Sequence, residues 1–224
     1  MGLNRINKPE PLAKTALKAL RHSILANDLT TGVVYNEKQL AQDLGISRTP
    51  VREALLELSS KRLVRFLPQK GVIINTFSQK DIEDVFDVRT ALEVYSITKV
   101  CRNIKTTNIS VLKECLAEQK KSAGTGDTNR FMEADRRFHI SFTTLTNNNY
   151  LMDMMHDIRD MMHLMGFKAL GLEGRMHQVI REHEAVLKAV CTGDAATAVA
   201  QMETHLALSK AAVNKTKEEK NNNG

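Results

Sequence analysis

From residue 36 the apolar positions fall into two short helical stripes with a tight turn between them. In NEKQLAQDLGISRTPVREAL (36–55), Leu40, Ala41 and Leu44 recur at helical spacing, and Val51, Ala54, Leu55 and Leu58 repeat the pattern further on. Asn36, with Gln39 three residues later, has the spacing of a capping box. Gly45 supplies a left-handed end to the first helix, Ser47 is placed to cap the second, and Pro50 falls in a first turn where a missing N–H costs little. Upstream, Leu17, Leu20, Ile24 and Leu25 predict a helix from about Leu12 to Ala26. Downstream the period changes: Leu63 to Leu67 and Val72 to Asn75, around Pro68-Gln69-Lys70-Gly71, predict a β-hairpin. Three helices followed by a hairpin make a winged helix-turn-helix over residues 12–76, preceded by a loose arm at 1–11 that holds two prolines.

Beyond Asn75 the pattern is helical throughout, punctuated by capping residues. Ser78 with Asp81, Asn108, Asp127 and Asn148 or Asn149 open four helices, a fifth starts near Glu173, and Gly193-Asp194 separates it from a sixth. The expected fold is therefore mainly α: the N-terminal winged helix-turn-helix and a C-terminal antiparallel six-helix bundle over 77–215 with its own core. Residues 216–224 are polar and of low complexity, which predicts a disordered tail.

Charge sharpens the division. The chain carries 32 Lys/Arg and 26 Asp/Glu, and residues 1–76 hold 12 and 6 of these, so the whole surplus lies in the helix-turn-helix part. Basic charge confined to one module suits a polyanionic partner, although small domains are often mildly basic without one. Arg48, Thr49 and Arg52 lie on the polar face at the start of the second helix, as in a helix that reads the DNA major groove, with Gln69 and Lys70 at the tip of the wing. No apolar run is long enough for a signal peptide core or a membrane span, so no membrane partner and a cytoplasmic location are expected. Cys101, Cys115 and Cys191 are odd in number and lack metal-binding spacing, which predicts buried, reduced thiols.

In the bundle, Asp135 and His139 are four apart and share one helix face. Two readings stand: an ion pair or a satisfied core histidine, or two ligands for a divalent metal. His183 and His205 fall beside the apolar stripes of the fifth and sixth helices, so three helices could each aim a ligand inward. Arg89, with Glu93 four residues on, is either a helix-surface ion pair or an arginine that clamps a carboxylate beside such a metal. The methionines between Met154 and Met165 follow helical spacing and read first as core.

Together these features resemble the GntR family of bacterial transcription regulators, in its FadR-type branch with an FCD effector domain, closest to the VanR-like subgroup. The resemblance rests on LAQDLGISRTPVREALLEL, the wing at PQKG, D-x-x-F-H at Asp135–His139, Glu182-His183, and Gly193-Asp194 followed by His205. It implies a homodimer that binds a palindromic double-stranded operator, most simply as a repressor. DNA contacts are implied at Lys38, Ser47, Arg48, Thr49, Arg52, Gln69, Lys70 and Gly71. A divalent metal on Asp135, His139, His183 and His205 is also implied, zinc first and nickel or manganese after it. A small organic acid effector would sit on or beside that metal, with Arg89 as its carboxylate partner. One departure is Lys61-Arg62, where relatives often have Glu-Gly, which puts extra positive charge near the wing. Three alternatives to the effector-responsive regulator remain: a regulator for which the ion is the signal, a metalloenzyme, and a bundle that only dimerises around an empty site. No general base is evident beside the ligands, so the chain is not expected to be an enzyme.

Overall fold

The structure, a computed structural model, describes residues 10–222, without the side chains of 219–222. The described part divides at Thr76 and Phe77 into two compact units.

The first unit contains α1 (Leu12–Leu25), β1 (Val34–Tyr35), α2 (Glu37–Asp43), α3 (Arg48–Ser60), β2 (Val64–Leu67) and β3 (Gly71–Ile74). Ala16, Leu20 and Ile24 of α1 are buried together with Val51, Ala54, Leu55 and Leu58 of α3, and α1 packs on α3. Burying these side chains stabilises the unit by roughly 1.5–3 kcal/mol for each large one. Asn36 caps α2 by accepting from Lys38 N–H at 2.8 Å, but Gln39 donates to Asp43 at 2.8 Å, so the expected capping box is a single cap. Gly45 N–H bonds the Gln42 carbonyl and Ile46 N–H the Ala41 carbonyl, which closes the helix end. Ser47 is the N-cap of α3 by position, without a side-chain cap bond.

The hairpin is present in the register Val64↔Ile74 to Leu67↔Gly71. The sequence pattern missed β1, which pairs antiparallel with β3 and gives the sheet order β1-β3-β2. Two residues are too short to show a period. The pairing explains Gly71: a Cβ there would stand 2.2 Å from the Tyr35 carbonyl oxygen.

The second unit consists of α4 (Gln79–Arg102), α5 (Ser110–Thr125), α6 (Thr128–Leu145), α7 (Asn149–Gly166), a 3-10 turn (Phe167–Gly171), α8 (Arg175–Thr192) and α9 (Ala195–Asn222). Ser78 and Asp81 form a full capping box, and Asp127 and Asn148 cap α6 and α7. α4 packs on α6, α7 and α9, while α5 lies on α6 and α8. Met155, Met162 and Met165 are buried as the spacing predicts, whereas Met154 is exposed. Two expectations need correction. Residues 216–222, read as part of a disordered tail, continue α9, and Val213 just before them is buried against the α4–α7 layer. Cys191 is exposed on α8, while Cys101 and Cys115 are buried free thiols. Residues 1–9 of the expected arm and residues 223–224 lie outside the described residues.

Candidate metal centre and DNA-reading face

Asp135 and His139 stand one turn apart on α6, so helical geometry alone aims both at the same neighbours. Those neighbours are His183 of α8 and His205 of α9, and one ligand atom from each of the four residues lies within 4.8 Å of all the others. Asp135 Oδ1 is 3.8 Å from the Nε2 of both His139 and His183. The Nε2 atoms of His183 and His205 are 3.4 Å apart.

Partners outside the cluster fix the tautomers. His139 Nδ1 is 2.6 Å from Glu93 Oε2, His183 Nδ1 is 2.9 Å from Gln119 Oε1, and His205 Nδ1 is 2.6 Å from Glu182 Oε2. Oxygen can only accept in these contacts, so each Nδ1 carries the proton and each Nε2 lone pair points inward. Phe138 stacks on the His183 ring at 4.2 Å between centroids and meets His139 edge-on, which holds both rings in place. Two lone-pair nitrogens facing each other at 3.4 Å repel unless a cation lies between them. Ligands about 2.1 Å from one ion stand roughly 3.0–3.5 Å apart, so the donor set fits a divalent metal.

Burial supports the same protonation states. It pushes His139 and His183 well below the ordinary imidazole range, reinforced by Arg89 at His139 and by His205 at His183. His205 is pushed down to about 3, mainly by burial. Burial would raise the Asp135 carboxyl, but Arg159 above all, with the histidines and Arg89, holds it far below the usual carboxylate range. Neutral imidazoles and an ionised carboxylate are the forms that ligate a metal.

Arg89 is not on the helix surface. It is 2% exposed, its Nε donates to Glu93 Oε1 at 2.7 Å, and its Nη2 donates to His139 Nε2 at 2.9 Å. Burial lowers its pKa while Glu93 opposes the shift. With Asp135 and His205 it borders a partly open cavity. Two further arginines there escaped the sequence reading. Arg159 of α7 pairs with Asp135 Oδ2, and Arg175 of α8 pairs with Glu182 at 2.8 Å and donates to Ser209 Oγ at 2.9 Å. A weak signal for Arg159 existed, since it interrupts an otherwise apolar stripe of α7. Nothing local distinguishes Arg175 from a surface residue at a helix start.

In the first unit, Arg48, Arg52, Gln69, Lys70 and Gly71 border one open groove between α3 and the wing. Lys38, Ser47 and Thr49 are exposed but do not line it. Arg52 Nη1 donates to both carboxylate oxygens of Glu37, at 3.0 and 3.1 Å, and its guanidinium lies 5.6 Å from the centre of the Phe66 ring. Glu37 was not singled out in the sequence, because its partner is on another helix.

Residues 12–74 match the bacterial regulatory proteins of the gntR family, and residues 84–208 match the FCD domain. The gluconate operon transcriptional repressor of Bacillus licheniformis is 26% identical over 182 residues, covering 78% of this chain and 74% of that protein. A solved GntR regulator from Rhodococcus sp. RHA1 shares the fold with a TM-score of 0.81 at 22% identity, covering 91% of this chain and 97% of that one. The metal-free FCD domain of the regulator TM0439 covers 65% of this chain and 99% of its own at a TM-score of 0.56 and 21% identity.

Proposed function

The chain belongs to the gntR family of bacterial transcription regulators and carries an FCD domain, and from that premise we propose that it is a dimeric, metal-dependent repressor released or recruited by a small organic acid. Regulators of this family bind DNA operators, and their domains are not those of an enzyme. The observation that carries the finer reading is the junction of four inward ligands with a cavity bordered by Arg89, Arg159 and Arg175. A bare metal sensor needs the ligands but not the arginines. Asp135, His139, His183 and His205 hold the ion, zinc first and nickel or manganese after it. When bound, the ion supplies a fixed positive charge and open coordination positions for an effector oxygen. Arg89 orients the effector, and its bond to Glu93 keeps the guanidinium from swinging away.

On the DNA side, Arg48, Thr49 and Arg52 meet bases and phosphates in the major groove, with Lys38 and Ser47 on the backbone and Gln69-Lys70-Gly71 at the minor groove. Two copies reading inverted half-sites fit a palindrome. Val88 and Tyr95 on α4, with Tyr150 and Met154 on α7, are large apolar side chains left in solvent, which supports burial against a second copy. The repressor assignment is supported by the gluconate operon relative, itself a repressor. The effector acts only if it binds the DNA-competent and DNA-incompetent states unequally.

A thermal-shift screen of small organic acids, with and without a chelator, tests the reading. A true effector raises the melting temperature with concentration, follows mass action and loses its effect on chelation. Acids that stabilise the chelated protein equally well would overturn the metal-centred site.

A further inference from the structure

The charges around the cavity favour a narrower class of ligand than organic acids in general. Each arginine that borders it already has a carboxylate of its own: Arg89 with Glu93, Arg159 with Asp135, and Arg175 with Glu182. The three histidines add no charge, because each keeps its one proton on Nδ1, committed to Glu93, Gln119 or Glu182, and His139 Nε2 already accepts from Arg89. The buried cluster is therefore neutral by itself, and a divalent ion on its four ligands leaves two positive charges uncompensated beside a cavity. Buried charge is tolerated when it is paired, and a monocarboxylate would cancel only half of it.

Donors also await a ligand. Arg159 Nε is buried with no hydrogen-bond partner among the described residues. Asp135 fixes the other end of the guanidinium. Met132, Met162, Leu170 and Val179 also line the cavity, so it offers apolar contact to a short carbon skeleton as well as charge.

We infer that the cavity selects small dianions, a short dicarboxylate or a phosphate monoester, over monocarboxylates of the same length. The inference rests on the metal-centred effector reading above.

The test uses the full chain loaded with zinc and melting curves with succinate, its half-amide succinamate, butyrate and glycerol phosphate. Succinate or glycerol phosphate should reach a given shift at a concentration about tenfold or more below that needed with succinamate or butyrate, as expected when a charged contact is lost. Which of the two dianions is stronger distinguishes carboxylate from phosphate. Arg175→Gln removes one positive charge at the edge of the cavity and should narrow the preference toward the half-amide, while Glu182→Gln should widen it. Equal shifts with succinate and succinamate overturn the dianion inference while leaving the organic-acid reading intact. No shift with any of the four acids, in protein shown to hold zinc, removes the effector reading itself. If neither variant folds, the wild-type comparison decides.

Discussion

Both units of this protein hold an arginine with a glutamate, and the two pairs differ in almost every other respect. Arg52 leans across from α3 to Glu37 on α2 with 58% of its side chain in solvent. Arg89 is bound to Glu93 on the same helix with 2% and 0% of the two side chains exposed. The open pair sits in water and salt, where attraction is weak and donors exchange readily with a phosphate or a base. The closed pair has already lost its hydration, so neither member can be removed without stranding the other. The contrast fits the proposed roles, in which Arg52 meets a large polyanion and is kept loosely, while Arg89 meets a small ligand next to an ion and is kept rigidly.

The largest effect should come from breaking the closed pair. Glu93→Ala strands Arg89 and leaves His139 Nδ1 without its acceptor, at a cost of about 3–5 kcal/mol in urea unfolding. A loss below about 1 kcal/mol would place this pair with the surface one and erase the contrast.

Acid attacks the same region from another side. The folded state holds His139 and His183 well below the ordinary imidazole value and His205 at about 3, so below about 6.5 the unfolded chain takes up protons that the folded chain refuses. This contribution to stability is complete above pH 6.5 and is lost as the pH falls toward the folded values. The slope is at most about 1.4 kcal/mol per pH unit for each histidine. Asp135, also depressed, adds a loss only at still lower pH. Hydrogen exchange of chelated protein at pH 7 and 5.5, corrected for intrinsic rates, should show bundle amides losing protection. Unchanged protection would mean the histidines are not held neutral.

At the open pair the effects move from stability to recognition. Arg52→Ala should weaken operator binding by about 1–3 kcal/mol, measured by titration at fixed salt, and leave the melting temperature nearly unchanged. Normal operator affinity would remove Arg52 from the DNA-reading set. Glu37→Gln should have the smallest effect on folding, under about 1 kcal/mol, because the pair is open to solvent at its Arg52 end and contributes little. Its mark should be looser discrimination between operator and random DNA, since the Arg52 fork is no longer steered. An unchanged specificity ratio would show that Arg52 needs no steering.

Much of this was legible from local pattern. α3, the hairpin, the capping box at Ser78 and the paired Asp135 and His139 all rest on residues no more than about ten positions apart, where period and capping rules act. β1 was not legible, because two residues carry no period and their pairing partner is nearly forty positions away. The disordered-tail expectation at 216–222 failed for a related reason. Polar composition carries no record of a bundle contact, while the place of α9 in the bundle is set by Val213 against residues of α4 and α7.

By itself, the sequence determined which residue types face inward and outward on each helix, and hence a DNA-reading unit joined to a helical bundle with histidines on its inner faces. That much follows from backbone geometry, which repeats every few residues and leaves a periodic trace. Only the tertiary structure decided that three helices bring Asp135 and the three histidines together, and that Glu93, Gln119 and Glu182 fix the histidine protons from 46, 64 and 23 residues away. It alone put Arg159 and Arg175 beside Arg89. Those contacts depend on how helices pack, and no spacing within a single helix records which neighbour it will meet.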